Sequence, residues 1–453
     1  MNAVLLIVIP LLVAFLSILS KKYAPYLLLV VSLFNILSIY FLKEGIISIG
    51  GFTAPYGINL IVNSYSIAGL FIVNTLFFIV VALTISQYRK MSSILLVALA
   101  GLNGLLLTGD LFNLFVFIEI VGLSAYLLTT TNHKPLSTFN YLVAGTVGSV
   151  LYLLGLIILY SMFGTLNMAD MHAKIIASGA SATAVSLPFL LMFIGLSVEA
   201  KLLPFNAWVK GILGNANKLS GPMLASVFAA AIALTVGRLL NGVFVFSDTL
   251  GLIVLVVVLF SILAGEAMAY ASTKAREILL FSSIAQAGIA IAVFFMGLPG
   301  LGLLIVGANA ITKLVLFMVI THITEQVGSD EVNDLQGIFS ENKVIGVGFT
   351  VASLSVLGLP LFVGFVVKLN VLVALFAKDE MLLPIVILIS SVIEGVYFVK
   401  LLIKLWYKDG DVKQVSFDIT MKYVVVVIAI VLVFFGVVSG DLLDLATEIG
   451  GIY

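Results

Sequence analysis

The chain has no cysteine among its 453 residues and only three histidines, and charged residues make up just 10% of it. Without thiols, this polypeptide forms no disulfide, ligates no iron–sulfur cluster and offers no thiolate nucleophile. Three scattered histidines unsupported by cysteine give no zinc or haem pattern, so no cofactor is expected within the chain. If electrons are involved, another subunit carries them. A formal net charge of zero offers no basic face to nucleic acid. No Walker loop, no GxGxxG after a strand and no HExxH occurs. Soluble domains are roughly a quarter charged. The polar residues here are too few to cover a soluble fold of this length.

What the sequence has instead is apolar runs. They fall at 3–20, 25–42, 65–87, 92–109, 112–130, 138–163, 184–209, 220–246, 249–270, 277–297, 299–324, 344–377, 381–406 and 421–440. A membrane-spanning helix needs about 20 mostly apolar residues, so the expectation is an all-α membrane protein of about fourteen spans. The first run lacks a basic n-region before it and carries Lys21 and Lys22 after it, so it reads as a retained span. A polar stretch over 164–182 separates the sixth and seventh runs and is long enough for a short interfacial helix.

Orientation follows from the loops. Those after even-numbered runs hold only Lys43, Lys174 and Lys378 as basic residues. Those after odd-numbered runs hold Lys21, Lys22, Arg89, Lys90, Lys134, Lys210 and further lysines and arginines on to Lys422. The positive-inside rule makes the odd loops cytoplasmic and sets both termini on the outer side of a cell membrane.

Two runs contain helix breaks: Lys201-Leu-Leu-Pro204 in the seventh, and Gly358-Leu-Pro360 followed by Gly364-Phe365 in the twelfth. Proline removes a backbone hydrogen bond and clashes with the preceding turn, which at membrane depth is tolerated only in a protein-lined or hydrated cavity. Interrupted segments at corresponding positions of two halves point to inverted repeats, and a spacing of five runs requires the halves to lie in opposite orientation. The expected organisation is a three-helix segment (1–90), a first five-helix repeat (91–246), a second, inverted one (247–406), and a final helix with its tail (407–453).

Lys201, Arg238, Lys313 and Lys368 lie deep within runs, as do Glu119, Glu199, Glu266 and Glu394. A charge at the bilayer centre costs about 3 kcal/mol on insertion scales, and such residues generally mark ion or proton routes. Lys400 is one turn from a cytoplasmic end and can snorkel outward, so it reads as structural. Buried ion pairs that fix helix register account for one or two of these charges, with Glu266, close to the end of its run, the best such case. They do not account for lysines beside both breaks. There, freed carbonyls can solvate an ammonium, and a Glu–Lys pair that opens and closes acts as a proton switch.

Several stretches resemble one known family. Gly109-Asp110-Leu-Phe-Asn-Leu-Phe-Val-Phe-Ile-Glu119 is similar to the fifth-span signature of the D-type Mrp antiporter subunit and its complex I and membrane-bound hydrogenase relatives. Glu199-Ala-Lys201-Leu-Leu-Pro204-Phe-Asn-Ala-Trp208 resembles the seventh-span lysine and its break. Lys274 through Ser282-Ser283-Ile-Ala-Gln286-Ala-Gly288, then Asn309-Ala-Ile-Thr-Lys313 and Asp334-Leu-Gln-Gly337, resemble the tenth span, the eleventh span and the loop after it. Gly358-Leu-Pro360, Gly364-Phe365 and Lys368 are similar to the broken twelfth span. The resemblance implies the fourteen-helix antiporter-like fold with a polar mid-membrane axis. On that axis Glu119 would be the fifth-span acid, Lys201 its partner, Lys313 the central lysine and Lys368 the exit lysine. The lack of a long lateral helix after the last span implies a D-, M- or N-like subunit.

Three positions depart from the family pattern. Thr235 stands where an eighth-span lysine is usual, Asn309 where a histidine is common, and Asn140 where relatives often keep a lysine. Arg238, three residues past Thr235, is placed to hold charge or water but does not deprotonate. Thr235, Arg238 and Asn309 are therefore expected to support the relay rather than carry it. The leading expectation is a proton-translocating subunit, exchanging H⁺ alone or H⁺ for Na⁺, within a multi-subunit membrane complex. A second is a membrane-arm subunit of a quinone-reducing or hydrogen-evolving redox complex. A third is a non-conducting scaffold.

Overall fold

The computed structural model describes residues 2–178, 182–408 and 412–449. The helices are α1 (Leu5–Leu19), α2 (Ala24–Ile39), α3 (Ser64–Thr84), α4 (Ser92–Leu107), α5 (Leu111–Thr129), α6 (Pro135–Phe163), α7 (Met168–Ala177), α8 (Ala182–Glu199) and α9 (Val209–Leu213). They continue as α10 (Ser220–Gly242), α11 (Asp248–Ala271), α12 (Ala275–Phe295), α13 (Pro299–Val327), α14 (Ile338–Glu341), α15 (Lys343–Leu357), α16 (Val363–Phe376), α17 (Leu382–Trp406), α18 (Ile419–Val437) and α19 (Gly440–Glu448).

Ten of these, among the described residues, are long and apolar enough to cross a membrane. The other four expected runs correspond to the shorter α1 and α2 and to the helix pairs α8–α9 and α15–α16, each pair separated by non-helical chain. The polar stretch after α6 does hold a short helix, α7, capped by the Asn167 side chain on the Asp170 amide; residues 179–181 of the stretch lie outside the described ones. Several elements were not expected, three of them notable. A hairpin pairs β1 (Gly45–Ser48) with β2 (Asn59–Val62) in the register Gly45↔Val62. The first turns of α10 include a π-helical stretch, Met223–Phe228, directly after Pro222. The short α19 packs its Ala446 carbonyl against Gly300 at the start of α13.

Burial separates centre from rim where apolarity does not. The apolar window of α10 is 94% buried, whereas that of the more apolar α18 is 22% buried. Helices α10, α12 and α13 form the interior. The faces of α6, α11, α17 and α18 that carry residues such as Phe139, Phe260, Val392 and Ile430 are open to the surroundings. Helices α6 and α8 approach closely through small residues, because a Cβ on Gly195 would stand 2.4 Å from the Gly148 carbonyl oxygen.

Candidate functional site

At the first break, α8 closes in a left-handed cap. The Leu202 amide donates to the Ser197 carbonyl (2.9 Å) and the Lys201 amide to the Val198 carbonyl (3.2 Å). This paired pattern normally places glycine at the left-handed position, but here Lys201 occupies it with φ +63°. Past the cap the backbone turns through Pro204. The Leu203 amide donates to Ser261 Oγ on α11 (2.9 Å), and Trp208 Nε1 donates to the Val198 carbonyl (3.1 Å). The break is therefore satisfied by side chains rather than left open to lipid.

The second break repeats the geometry. The Leu359 amide donates to the Leu354 carbonyl (3.2 Å) and the Gly358 amide to the Ser355 carbonyl (3.0 Å), with Gly358 at φ +76°. Glycine takes the left-handed position here without steric cost. The lysine comes from the second half-helix: Lys368 on α16 reaches back, and its Nζ donates to the Val356 carbonyl (2.7 Å) at the end of α15. Pro360 lies within the turn between α15 and α16.

Between the breaks runs a buried polar line. Lys201 Nζ donates to Ser283 Oγ (3.1 Å), and Lys313 Nζ donates to Ser282 Oγ (2.6 Å), so adjacent serines of α12 hold the two lysines. Ser282 Oγ in turn donates to Glu394 Oε1 on α17 (3.3 Å). Gln286 Nε2 donates to both oxygens of that carboxylate (2.9 and 3.0 Å). Lys368 Nζ closes the line with an ion pair to Glu394 Oε2 at 3.1 Å. Lys201, Lys313, Lys368 and Glu394 are all buried.

Two small cavities follow the same line. One, with about 40 Å³ open to water centres, is lined by Lys201, Ser226, Ser283, Gln286, Asn309 and Lys313, among others. Another of about 10 Å³ lies by Asn309, Thr312, Ser355 and Lys368. A water needs roughly 10–15 Å³ of such space and polar partners, so the first has room for a few and the second for one. Asn309 lines both.

The expected residues fall into two groups. Lys201, Lys313, Lys368 and Asn309 share this interior. Glu119 does not touch Lys201: it is half-buried on α5, within electrostatic reach of Tyr126 and Glu199, and makes no hydrogen bond or ion pair among the described residues. Glu199 accepts from Tyr141 Oη (3.4 Å), and Tyr141 stacks on Trp208 at 3.9 Å between ring centroids. Asn140 is exposed on α6.

Arg238 and Thr235 lie off the line. Arg238 Nη1 donates to the Thr108 carbonyl (2.7 Å) and Nη2 to the Leu106 carbonyl, so the guanidinium covers the open C-terminal end of α4. A cation at that end of a helix meets the negative pole of its dipole. Thr235 Oγ1 donates back to the Ala231 carbonyl (2.8 Å). Neither lines the cavity between Lys201 and Lys313. Glu394 is the residue whose role sequence reasoning missed. It was visible as a deep acid, but only the folded chain shows that Gln286, Ser282 and Lys368 converge on it.

Residues 108–394 match the family described as NADH:quinone oxidoreductase/Mrp antiporter, TM. The chain belongs to this family. It is a multi-pass membrane protein of the antiporter-like type. It is 29% identical over 376 residues to the N subunit of an NADH-quinone oxidoreductase from Desulforudis audaxviator, covering 78% of this chain and 74% of that one. It is 28% identical over 373 residues to the D-type subunit of the Na(+)/H(+) antiporter of Bacillus subtilis, covering 77% and 73%. A chain of the membrane-bound sulfane sulfur reductase, an archaeal respiratory membrane complex, superimposes with a TM-score of 0.91 at 26% identity, covering 99% of this chain and 97% of that one. A chain of the Mrp complex from Dietzia shares the fold, with a TM-score of 0.89 at 18% identity over 99% and 96% of the two chains.

Proposed function

We propose that this chain translocates protons as one membrane subunit of a multi-subunit respiratory or antiporter complex. The observation that carries this reading is the unbroken hydrogen-bonded line from Lys313 through Ser282 and Glu394 to Lys368, with Lys201 on the adjacent Ser283. Buried ammonium and carboxylate groups in this arrangement pass a proton by exchanging partners. Hydroxyls and water fill the gaps, and the breaks supply carbonyls that hold Lys368 when its carboxylate partner changes state. On this reading Glu119 is the entry acid, outside the line and joined to it only when the protein or a neighbour moves. The reaction that drives it, redox or ion exchange, belongs to other subunits, as the respiratory and antiporter complexes of the relatives suggest. The equal caps at the two breaks support two inverted repeats, 91–246 and 247–406, and the lysine and arginine bias supports fourteen spans with both termini outside.

The test is proton uptake into liposomes by the reconstituted native complex, comparing wild type with Lys313→Met and Glu119→Gln. Each change should lower translocation about a hundredfold, the scale of losing one positioned proton-transfer group, while the complex still assembles. Undiminished uptake by Lys313→Met would remove the relay. Failure of both variants to assemble would favour the scaffold reading.

A further inference from the structure

Glu266 is left unused by the line described above, yet its surroundings are not those of a structural acid. It lies on α11 with 0% exposure. One oxygen, Oε1, accepts from Ser390 Oγ (2.9 Å). The other, Oε2, is buried and faces the hydroxyl of Tyr397, which is placed to donate to it. Ser390, Glu394 and Tyr397 stand at helical spacing on one face of α17, so Glu266 sits one turn from Glu394. The charged groups around the pair are Lys368 on α16 and Lys313 on α13, and α12 contributes only the neutral Ser282 and Gln286.

Among the described residues, only Lys368 makes an ion pair with either acid, and that pair is with Glu394. Lys313 reaches the site through the Ser282 hydroxyl. Two carboxylates thus share the one ammonium in contact with them, with Lys313 a hydroxyl away, and a proton on one acid relieves the repulsion of two anions in a site closed to bulk water. Glu266 Oε2 and the Tyr397 hydroxyl beside it are the groups placed to hold that proton.

We propose that Glu266 and Glu394 form a two-carboxylate site that stores one proton, making Glu266 a further proton-carrying residue. This rests on the proposed translocation for its use, though not for its existence. The proton leaves the carboxyl oxygen of one acid and arrives on a carboxylate oxygen of the other, by way of the Ser390 or Tyr397 hydroxyl. The pair keeps a single negative charge throughout, and Lys368 keeps its ammonium. When Lys368 instead gives its proton to Glu394, the Glu266 carboxyl is the group placed to pass a proton on.

The test is infrared spectroscopy of the purified native complex, reading the carbonyl stretch of protonated carboxyl groups, which carboxylates and glutamine lack. The wild-type minus Glu266→Gln spectrum should show one such band, shifting in deuterium oxide, and liposome uptake should fall at least several-fold. Ser390→Ala, which deletes one hydroxyl, should move the band without removing it. A difference spectrum with no protonated-carboxyl band overturns the proposal whatever the uptake assay shows. So does a band that Ser390→Ala leaves in place. A band that behaves as expected in a complex that moves no protons keeps the site and removes the translocation reading instead.

Discussion

The two helix breaks solve one backbone problem with opposite assignments of residues. Both end a half-helix in the same pair of hydrogen bonds around a left-handed residue. At the second break that residue is Gly358, and the buried lysine is Lys368 on the next half-helix, which reaches back to the freed carbonyl of Val356. At the first break the lysine itself sits in the left-handed position and points away to Ser283. Lys368 therefore has a built cradle of carbonyl and carboxylate, whereas Lys201 has one hydroxyl and a cavity. The lesson is that the two breaks keep one shape while the charge is free to move along the chain. A well-held lysine and a loosely held one then lie at the two ends of one polar line.

The largest expected effect is that of Lys368→Met. It removes proton transfer and leaves Glu394 as a buried carboxylate without its cation, a loss of about 3–5 kcal/mol on the scale of broken buried pairs. Thermal unfolding of the purified complex should show it, and Lys201→Met should show much less, because Lys201 has no carboxylate to strand. Equal destabilisation would break the contrast between cradle and cavity.

The caps themselves offer a finer comparison. Gly358→Ala should lower stability by about 1–2 kcal/mol, the cost of a side chain in the left-handed region, and its Cβ would also press within 2.9 Å of Lys368 Cδ. Lys201→Gly should not destabilise the fold in this way, since it relieves the same strain, although it should stop translocation. A fold weakened as much by Lys201→Gly as by Gly358→Ala would show that the Lys201 side chain, not the backbone, holds the first cap. The smallest effect is expected from Lys400→Met. Lys400 is exposed and lies 4.5 Å over the Tyr270 ring, so uptake should be near wild type.

Much of the architecture was legible because membrane segments advertise themselves. Long apolar runs, proline at both breaks, and lysines where lipid forbids them are all local signals. What one sequence hides is which distant residues meet. Ser282 and Ser283 stood out only as part of a stretch resembling the tenth span. In the fold, adjacent positions separate by about 100° around the helix axis, so one serves Lys313 and the other Lys201. Glu394 gave the same local signal as Glu199, and only the packing of α17 on α12 and α16 made it a hub. Arg238 read as a stand-in for a missing relay lysine. Its partners, the carbonyls of Leu106 and Thr108, are some 130 residues away in the chain and carry no sequence mark. The π-helical turn at Met223–Phe228 had one local cue in Pro222 but no periodic signature.

Asn309 borders both cavities, and its amide neither gains nor loses a proton under physiological conditions. A proton taking the route past it, beside the line through Ser282 and Glu394, has no side chain to rest on and must cross by hopping along hydrogen-bonded water. That second path between the Lys201–Lys313 side and the Lys368 side is a question of wetting. One water more or fewer in a space of about 10 Å³ decides whether it is continuous. The share of protons it carries would then answer to osmotic stress and to heavy water.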